Sequence, residues 1–359
     1  MSDSTLNKLR IRIDELDEEI QALLSERAAC AQKVAEAKQT HDDSAFYRPE
    51  REAEILRRVR ERNEGPLSDD EMVRLFREIM SACLALEQPL TVAYLGPEGT
   101  YTQAAAQKRF GHSVNLKSLA AIDEIFREVE AGSADFGVVP VENSTEGAIN
   151  HTLDMFIRSP LKICGDVELQ IHHQLLASGT SLDGINSVRA HQQALAQCRE
   201  WLDANLAGLE RVAVSSNAEA ARLAHEDESV VAIASETAAE MYGLNVLAKN
   251  IEDDPNNSTR FLVVGRQKVA RSGRDKTSLM VAVHNKPGAL YSLLEPIARH
   301  GVSMTKIESR PSRVSKWDYV FFVDVEGHVQ DDNVAAALEE LATEASLLKV
   351  LGSYPRCEL

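Results

Sequence analysis

The chain has 359 residues, of which 44% are hydrophobic and 26% are charged, so it is long enough for two or three globular domains. Its formal net charge of −17 argues against nucleic acid or an anionic membrane as a partner, and any anionic ligand must be bound by local groups of Lys and Arg. Five scattered cysteines without a C-x-x-C pair, and an N-terminus without an apolar signal segment, favour a reduced cytoplasmic protein over a disulfide framework or a zinc site.

Residues 1–88 have the pattern of an all-α module. Apolar residues recur at alternating steps of three and four along the first segment, at Leu6, Leu9, Ile13, Leu16, Ile20 and Leu23, which predicts one helix as far as Lys38. Such a helix would be about 50 Å long, so we expect a second subunit to pack along it. A second helix is predicted to begin at Arg48-Pro49, and a third is predicted to be capped by Ser68.

Charged side chains interrupt the apolar face of each predicted helix. The three residues at these positions are Arg27, Glu52 and Glu87, and Lys38 shares the face of Arg27. Arg10 lies about 100° away around the first helix, so it cannot serve the same pocket, although it could reach that of a partner subunit. A single charged residue of this kind can simply extend to solvent, but four on three helices indicate a cationic pocket, because unpaired buried charge is costly. We therefore expect a small polyanion as the ligand.

The motifs of this module resemble the all-α chorismate mutase family over Leu6 to Gln88. They are Leu9-Arg10, Ser25-Glu26-Arg27, Ala37-Lys38, Tyr47-Arg48-Pro49-Glu50-Arg51-Glu52 and Leu86-Glu87-Gln88. The resemblance implies that Arg10 of a partner subunit, Arg27 and Lys38 bind the two carboxylates and the ether oxygen of chorismate. It also implies that Arg51 assists and that Glu52 accepts a hydrogen bond from the ring hydroxyl. Because the rearrangement is intramolecular, such a site acts by positioning and by stabilising charge on the ether oxygen.

Three positions of this site depart from the bacterial pattern of the family. Arg48, which we count among the catalytic residues, stands where an acidic residue can occur, and the substrate-binding candidate Cys83 stands where a serine can occur. Glu87 replaces a glutamine that donates to the ether oxygen, and a carboxyl group can donate only when it is protonated. We therefore expect Glu87 to be neutral and the mutase activity to fall as the pH rises.

Residues 89–268 alternate strand and helix patterns, which predicts an α/β domain. The turn Gly96-Pro97-Glu98-Gly99-Thr100 after the first strand is not a G-x-G-x-x-G fingerprint, so we expect no dinucleotide or other cofactor. The buried strand Val138 to Val141 leads into Asn143, Ser144 and Thr145, and we expect these to face a helix N-terminus, where anions bind. One of the three could be only a helix cap, which leaves the other two unexplained.

Further strand-to-helix junctions near His191 and Ser235 predict two doubly wound lobes with a cleft between them. The pair His172-His173 fits an alternating strand better than a metal site, because no carboxylate partner and no H-x-x-x-H spacing accompany it. The tripeptide Asn-Ser-Thr occurs a second time at 257–259, where Arg260 and an apolar run follow it.

Val92 to Arg266 resembles prephenate dehydratase, through Gly-Pro-Glu-Gly-Thr, Pro-Val-Glu-Asn-Ser-Thr-Glu-Gly-Ala-Ile and Thr-Arg-Phe. The resemblance implies two α/β lobes arranged as in periplasmic binding proteins, with the active site between them. It places Thr259 nearest the hydroxyl that prephenate loses and assigns substrate binding to Asn143, Ser144, Thr145 and Gln197, while Arg260 is our candidate for a carboxylate. Because a threonine hydroxyl is a weak acid, we expect it to act within a hydrogen-bonded relay. The two distant tripeptides must then line one crevice.

Residues 276–359 have the order βαββαβ, which predicts a ferredoxin-like α+β unit. The segment Asn285-Lys286-Pro287-Gly288-Ala289-Leu290 offers free amides for a carboxylate at a helix start, although Gly288 could merely permit the turn. Gly288-Ala289-Leu290 and Glu308-Ser309-Arg310-Pro311 resemble the amino-acid-binding ACT domain. This resemblance implies L-phenylalanine as an end-product inhibitor at an interface between two such domains, bound by Asn285, Gly288, Ala289, Leu290, Glu308 and Ser309.

Together the patterns predict a multidomain protein, and the resemblances imply an enzyme that converts chorismate to prephenate and prephenate to phenylpyruvate. We expect a homodimer or a dimer of dimers that binds neither nucleic acid nor membrane. Two alternatives remain open: a mutase joined to a prephenate dehydrogenase, which would need a nicotinamide site, and a non-catalytic amino-acid sensor. The inward-facing charges of the helical module argue against the sensor.

Overall fold

The computed structural model of the protein describes residues 3–39, 47–145, 147–283, 286–311 and 319–357. The chain forms two compact units, Met1–Leu90 with Phe110–Asn115 and Thr91–Arg109 with Leu116–Leu359. Among the helices within the described ranges, none combines the length and the apolar character that a membrane span requires.

The first unit is helical. It contains α1 (Asp3–Gln39), α2 (Pro49–Glu61) and α3 (Asp69–Glu87). Pro49 begins α2, and Ser68 Oγ accepts a hydrogen bond from the Glu71 amide at 3.2 Å, so both predicted helix starts are confirmed.

The apolar stripe of α1 is exposed in the single chain. Its six residues are between 39% and 65% exposed, namely Leu6, Leu9, Ile13, Leu16, Ile20 and Leu23. Helices of soluble proteins bury such a stripe, because leaving it in water forgoes the hydrophobic contribution to stability.

The second unit contains three sheets and their helices within the described residues. In chain order its elements begin with β1 (Thr91–Leu95), α4 (Tyr101–Phe110), β2 (Asn115–Leu119), α5 (Ile122–Ala131), β3 (Phe136–Asn143), β4 (Gly147–Ala148), α6 (Asn150–Arg158) and β5 (Lys162–Gln170). They continue with β6 (Gln174–Ala177), β7 (Ser187–His191), α7 (Gln192–Gln197), α8 (Arg199–Asn205), β8 (Glu210–Val214), α9 (Asn217–Glu226), β9 (Val230–Ala234), α10 (Glu236–Tyr242), β10 (Asn245–Ala248) and β11 (Ser258–Gly265). The last part has β12 (Asp275–Val283), α11 (Ala289–Arg299), β13 (Met304–Pro311), β14 (Tyr319–Glu326), α12 (Asp332–Glu344) and β15 (Leu347–Pro355).

The first two sheets form two lobes, which confirms the two-lobed α/β fold. The first lobe has strand order β2-β1-β3-β11-β5 with β4 paired to β3, and the second has order β10-β6-β9-β7-β8. Both sheets are mixed, a difference from the doubly wound prediction. β11 is antiparallel to β3 and β5, and β6 is antiparallel to β9 and β10. The antiparallel direction of β6 and β11 arises because the chain crosses to the second lobe after β5 and returns to the first lobe before β11.

The segment after β3 corrects one prediction, since no helix begins directly after Asn143, Ser144 and Thr145. Instead the chain turns back, and β4 pairs with β3 through the register Asn143↔Gly147 and Glu142↔Ala148. The side chain of Asn143 accepts from the Thr145 amide at 3.1 Å, which is the hydrogen bond of an Asx turn. This local bond stabilises a hairpin where the apolar spacing alone indicates a helix, and α6 begins only at Asn150.

The third sheet has order β13-β14-β12-β15 with all pairs antiparallel, and it confirms the ferredoxin-like prediction. One face packs on α11 and α12, while the other shares a hydrophobic core with the first lobe. This shared core joins Met280, Phe322 and Tyr354 to Phe156 and Leu161. Gly352 permits the close approach, because a Cβ there would lie 2.1 Å from the Ile163 carbonyl oxygen.

Candidate active sites

A cavity of about 200 Å³ opens among the helices of the first unit. Cationic side chains dominate its lining, since the described residues contribute five cations and two carboxylates: Arg27, Lys38, Arg48, Arg51, Arg77, Glu52 and Glu87. A pocket with this excess of positive charge suits a small dianion. The structure therefore brings together every cavity residue that the sequence predicts, apart from Arg10 and Cys83.

The carboxylate of Glu52 is held by two residues to which the sequence patterns gave no role. Tyr47 donates to Glu52 Oε2 at 2.5 Å, and Arg77 Nε lies 3.6 Å from Glu52 Oε1. Arg77 shares a helix face with Leu84, seven residues further along α3, so its spacing could have indicated an inward position. Both contacts fix the direction in which Glu52 faces the cavity.

Burial raises the pKa of the Glu87 carboxyl group above its ordinary value, while the positive charges of Lys38 and Arg27 act in the opposite direction. The upward shift is the direction expected from the sequence. A raised pKa increases the fraction of Glu87 that can donate a hydrogen bond at neutral pH.

Two predicted residues lie elsewhere. Cys83 is buried on α3, but it is not among the residues that line the cavity. Arg10 is exposed on α1 and does not line the cavity of its own chain, consistent with an expected role in a partner's site.

The two Asn-Ser-Thr tripeptides meet at the edge of the first lobe. β3 and β11 pair so that Asn143 lies opposite Thr259, and Asn143 Nδ2 donates to Thr259 Oγ1 at 2.9 Å. The structure therefore places these two side chains in direct contact. Asn257, whose role was not singled out, also contacts Asn143, with its Oδ1 3.0 Å from Asn143 Nδ2.

The other predicted substrate-binding residues adjoin this pair. Thr145 donates to Asn143 Oδ1 at 2.5 Å, and Gln197 Nε2, which comes from the second lobe, donates to Thr145 Oγ1 at 3.3 Å. Ser144 instead links β3 to β11, because its hydroxyl accepts from the Ser258 amide at 2.9 Å. The group thus joins residues of both lobes.

His172 and His173 lie between β5 and β6, where the chain crosses from one lobe to the other, and not in a strand as predicted. His172 Nδ1 contacts Glu252 Oε1 at 2.7 Å. His173 Nε2 lies 2.9 Å from Gln197 Oε1, and its Nδ1 lies 2.9 Å from the hydroxyl of Tyr101. The strand prediction fails because the backbone of this segment bonds to loop residues, with the His173 carbonyl accepting from the Ile251 amide and the His173 amide donating to the Glu252 carboxylate.

Arg260 does not lie with this group, which corrects its assignment to a substrate carboxylate. Successive residues of a strand face opposite sides of the sheet, so Arg260 points away from the side that Thr259 occupies. Its guanidinium contacts Asp166 at 2.9 Å, Asp324 at 2.6 Å and the Tyr354 hydroxyl at 3.0 Å. Arg260 therefore joins the first lobe to the third sheet.

The predicted effector residues are only partly brought together. Asn285 lies outside the described residues. Gly288 has φ of +82° with open space at its Cβ position, so the turn requires glycine, and Ala289 begins α11. Glu308 and Ser309 are adjacent in β13 and face opposite sides, with Glu308 on the side of the first lobe and Ser309 on the side of the helices.

Three family matches cover most of the chain. Chorismate mutase type II matches residues 9–88, prephenate dehydratase matches residues 92–269, and the ACT domain matches residues 277–343. The fold and sites thus define a mutase joined to a dehydratase with an ACT domain.

Relatives over the full length agree. A bifunctional chorismate mutase/prephenate dehydratase of Stutzerimonas stutzeri is 58% identical over 99% of this chain and 98% of its own, and one of Pseudomonas aeruginosa is 56% identical with the same coverage. A prephenate dehydratase structure from Arthrobacter aurescens, in complex with L-Phe, is 36% identical and has a TM-score of 0.69, covering 74% of this chain and 90% of that one. The chain belongs to the bifunctional chorismate mutase/prephenate dehydratase family and is a bifunctional enzyme.

Proposed function

We propose that the helical cavity converts chorismate to prephenate. The observation that carries this proposal is the lining of five cations and two carboxylates around about 200 Å³. Arg27, Lys38 and Arg51 bind the carboxylates and the ether oxygen, and a protonated Glu87 donates to the ether oxygen. In the reaction the C–O ether bond breaks as a C–C bond forms within the same molecule. No proton is exchanged, so the site contributes conformation and charge stabilisation.

Prephenate then loses carbon dioxide and its ring hydroxyl in the cleft at Thr259. The carboxylate leaves as carbon dioxide, its bonding electrons complete the aromatic ring, and the C–O bond to the hydroxyl breaks. The leaving oxygen takes up one proton and departs as water, so Thr259 donates to it and the solvent supplies the net proton. The 2.9 Å contact between Asn143 and Thr259 supports this role, because it holds the hydroxyl at the cleft.

L-Phenylalanine is the proposed feedback inhibitor, bound by the ACT domain near Gly288 and Ser309. The Arthrobacter relative in complex with L-Phe supports the choice of effector. Contacts from the third sheet to residues next to the catalytic ones support a route for inhibition. Lys306 pairs with Glu142 at 2.6 Å, beside Asn143, and Asp324 pairs with Arg260, beside Thr259.

A homodimer or a dimer of dimers is the proposed assembly. The exposed stripe of α1 supports it, since six large apolar residues are uncovered in the single chain. In such a dimer Arg10 of one subunit completes the cavity of the other.

The test is to incubate the purified protein with chorismate and to follow prephenate, phenylpyruvate and carbon dioxide, with and without L-phenylalanine. We expect carbon dioxide release without nicotinamide and less phenylpyruvate when L-phenylalanine is present. Reduction of added nicotinamide would indicate the dehydrogenase alternative, and binding of L-phenylalanine without consumption of chorismate or prephenate would indicate a sensor.

A further inference from the structure

The wall of the mutase cavity includes a residue from outside the segment that matches chorismate mutase. Among the described residues that line this cavity, Phe110 alone comes after residue 88. It is the last residue of α4 and lies within residues 92–269, which match prephenate dehydratase. Phe110–Asn115 nevertheless belongs to the same compact unit as α1, α2 and α3. A later part of the chain therefore completes the wall of the helical cavity.

The residues that follow Phe110 attach it to α3. The His112 amide donates to Glu78 Oε2 at 3.1 Å, and the His112 ring contacts Glu78 Oε1 at 2.8 Å. Gly111 has φ of +74°, and a Cβ there would lie 2.5 Å from the Cβ of Ser81, so the backbone approaches α3 closely. These contacts hold Phe110 at the cavity, where it is 5% exposed.

Phe110 packs on Tyr47, and Tyr47 in turn binds Glu52. The centroids of the two aromatic rings are 5.4 Å apart, the rings are inclined at 48°, and both residues are buried. Tyr47 precedes α2, so helix geometry does not fix the direction of its hydroxyl. That hydroxyl lies 2.5 Å from Glu52 Oε2 and donates to it, because an ionised carboxylate can only accept. The packing of Phe110 thus constrains where Tyr47 donates.

The hydrogen bond from Tyr47 gives the Glu52 carboxylate a direction. Arg77 Nε lies 3.6 Å from the other oxygen, beyond hydrogen-bond distance, so its attraction is less directional than the bond from Tyr47. A carboxylate that binds a substrate hydroxyl must present a lone pair to it, and a small displacement of such a positioning group is costly in rate.

We propose that Phe110 is a positioning residue of the mutase: it holds the ring of Tyr47, whose hydroxyl orients the Glu52 carboxylate toward the ring hydroxyl of chorismate. This inference rests on the proposed mutase function, with Glu52 as the acceptor of that hydroxyl. Phe110 has no polar group, so its effect on the ring hydroxyl passes through Tyr47 and Glu52. The mutase rate then depends on a residue of the dehydratase segment.

Substitutions in the full-length protein test the packing contact. Phe110→Ala removes the ring that supports Tyr47, and we expect the mutase kcat/KM to fall about tenfold to a hundredfold, the effect of a misplaced positioning group. Phe110→Leu keeps an apolar side chain and should show a smaller loss. The control is Phe126→Leu, because Phe126 is also buried but packs on Phe156 in the first lobe, and it should leave the mutase kcat/KM unchanged.

An analogue of chorismate that lacks the ring hydroxyl distinguishes the positioning of Glu52 from a general effect of packing. If Phe110 acts through Tyr47 and Glu52, Phe110→Ala should lower kcat/KM for the analogue less than about threefold, since the group that Glu52 binds is absent. Tyr47→Phe should show the same selectivity, and adding Phe110→Ala to it should cause little further loss with chorismate. Equal losses for chorismate and the analogue, or additive losses in the double variant, would overturn the positioning role.

Two further measurements separate this inference from the proposed function. An unchanged mutase kcat/KM in Phe110→Ala, or in Phe110→Leu where the alanine variant does not fold, would overturn the role of Phe110 alone. Full mutase activity in Glu52→Ala would instead overturn the role of Glu52 in the proposed function. Thermal unfolding of each variant, with its dehydratase activity as a measure of active concentration, identifies a loss caused by misfolding.

Discussion

The carboxyl group of Glu87 provides a sharp test of the mutase site. Burial raises its pKa above the ordinary value, against the opposing charges of Lys38 and Arg27, and only the protonated form can donate to an ether oxygen. Above the pKa, the protonated fraction falls tenfold for each pH unit. Losing one donor to a developing negative charge costs about 10²- to 10³-fold in rate. This factor is the total decrease in mutase rate that we expect between fully protonated and fully ionised Glu87.

We therefore expect the mutase kcat/KM to fall as the pH rises above the ordinary range of a carboxyl group, because Glu87 loses its proton as the pH passes its raised pKa. In Glu87→Gln the donor is permanent, so the profile should be flat and should lie above that of the unaltered enzyme at high pH. The assay follows chorismate consumption in buffers of constant ionic strength. Glu71→Gln is the control, since Glu71 is exposed on the same helix and pairs with Arg74. An unchanged decline in Glu87→Gln would refute the reasoning.

Three further predictions concern stability and assembly. Arg260→Met leaves Asp166 and Asp324 without their shared cation, so urea unfolding should show a loss of about 3–5 kcal/mol in the free energy of unfolding. Burial acts to raise the pKa of Asp166, but the charges of Arg260 and Lys276 outweigh it and hold this pKa below 3.8. The contribution of ionised Asp166 to the free energy of unfolding is therefore complete at neutral pH, and it is lost as the pH falls through this lowered pKa. Asp166→Asn should accordingly reduce the acid dependence of stability, and an unchanged dependence would rule this out. Ile13→Glu places a charge in the exposed stripe of α1, so sedimentation should show smaller assemblies with reduced mutase activity, whereas an unchanged mass would count against the α1 interface.

Local patterns were sufficient to predict the elements that build the fold. The heptad stripe of α1, the proline that begins α2 and the serine that caps α3 all depend on residues within a few positions of one another. Polar tripeptides beside apolar runs also indicated correctly that the two segments meet, because a strand places its polar end at the edge of a sheet. These signals suffice where one short segment determines its own structure.

The errors arise where individual side-chain contacts decide the structure, one of them local and the others between distant segments. The hairpin after Asn143 depends on one side chain bonding to the backbone two residues later. Arg260 was expected at the substrate because its motif contains Thr259, yet strand alternation directs the two side chains to opposite faces. Its acidic partners come from β5 and β14, and no local pattern links them to β11. The contact of His173 with Gln197 likewise depends on how the two lobes meet.

The central claim is that the Thr259 hydroxyl acts at the cleft on the group that prephenate loses. The most direct measurement compares dehydratase kcat in Thr259→Ser and Thr259→Val, each divided by the mutase kcat of the same preparation. The serine variant keeps a hydroxyl that Asn143 can bind and should retain most of the ratio, while the valine variant should lower it about 10²- to 10⁴-fold. Equal ratios in the two variants would contradict the account.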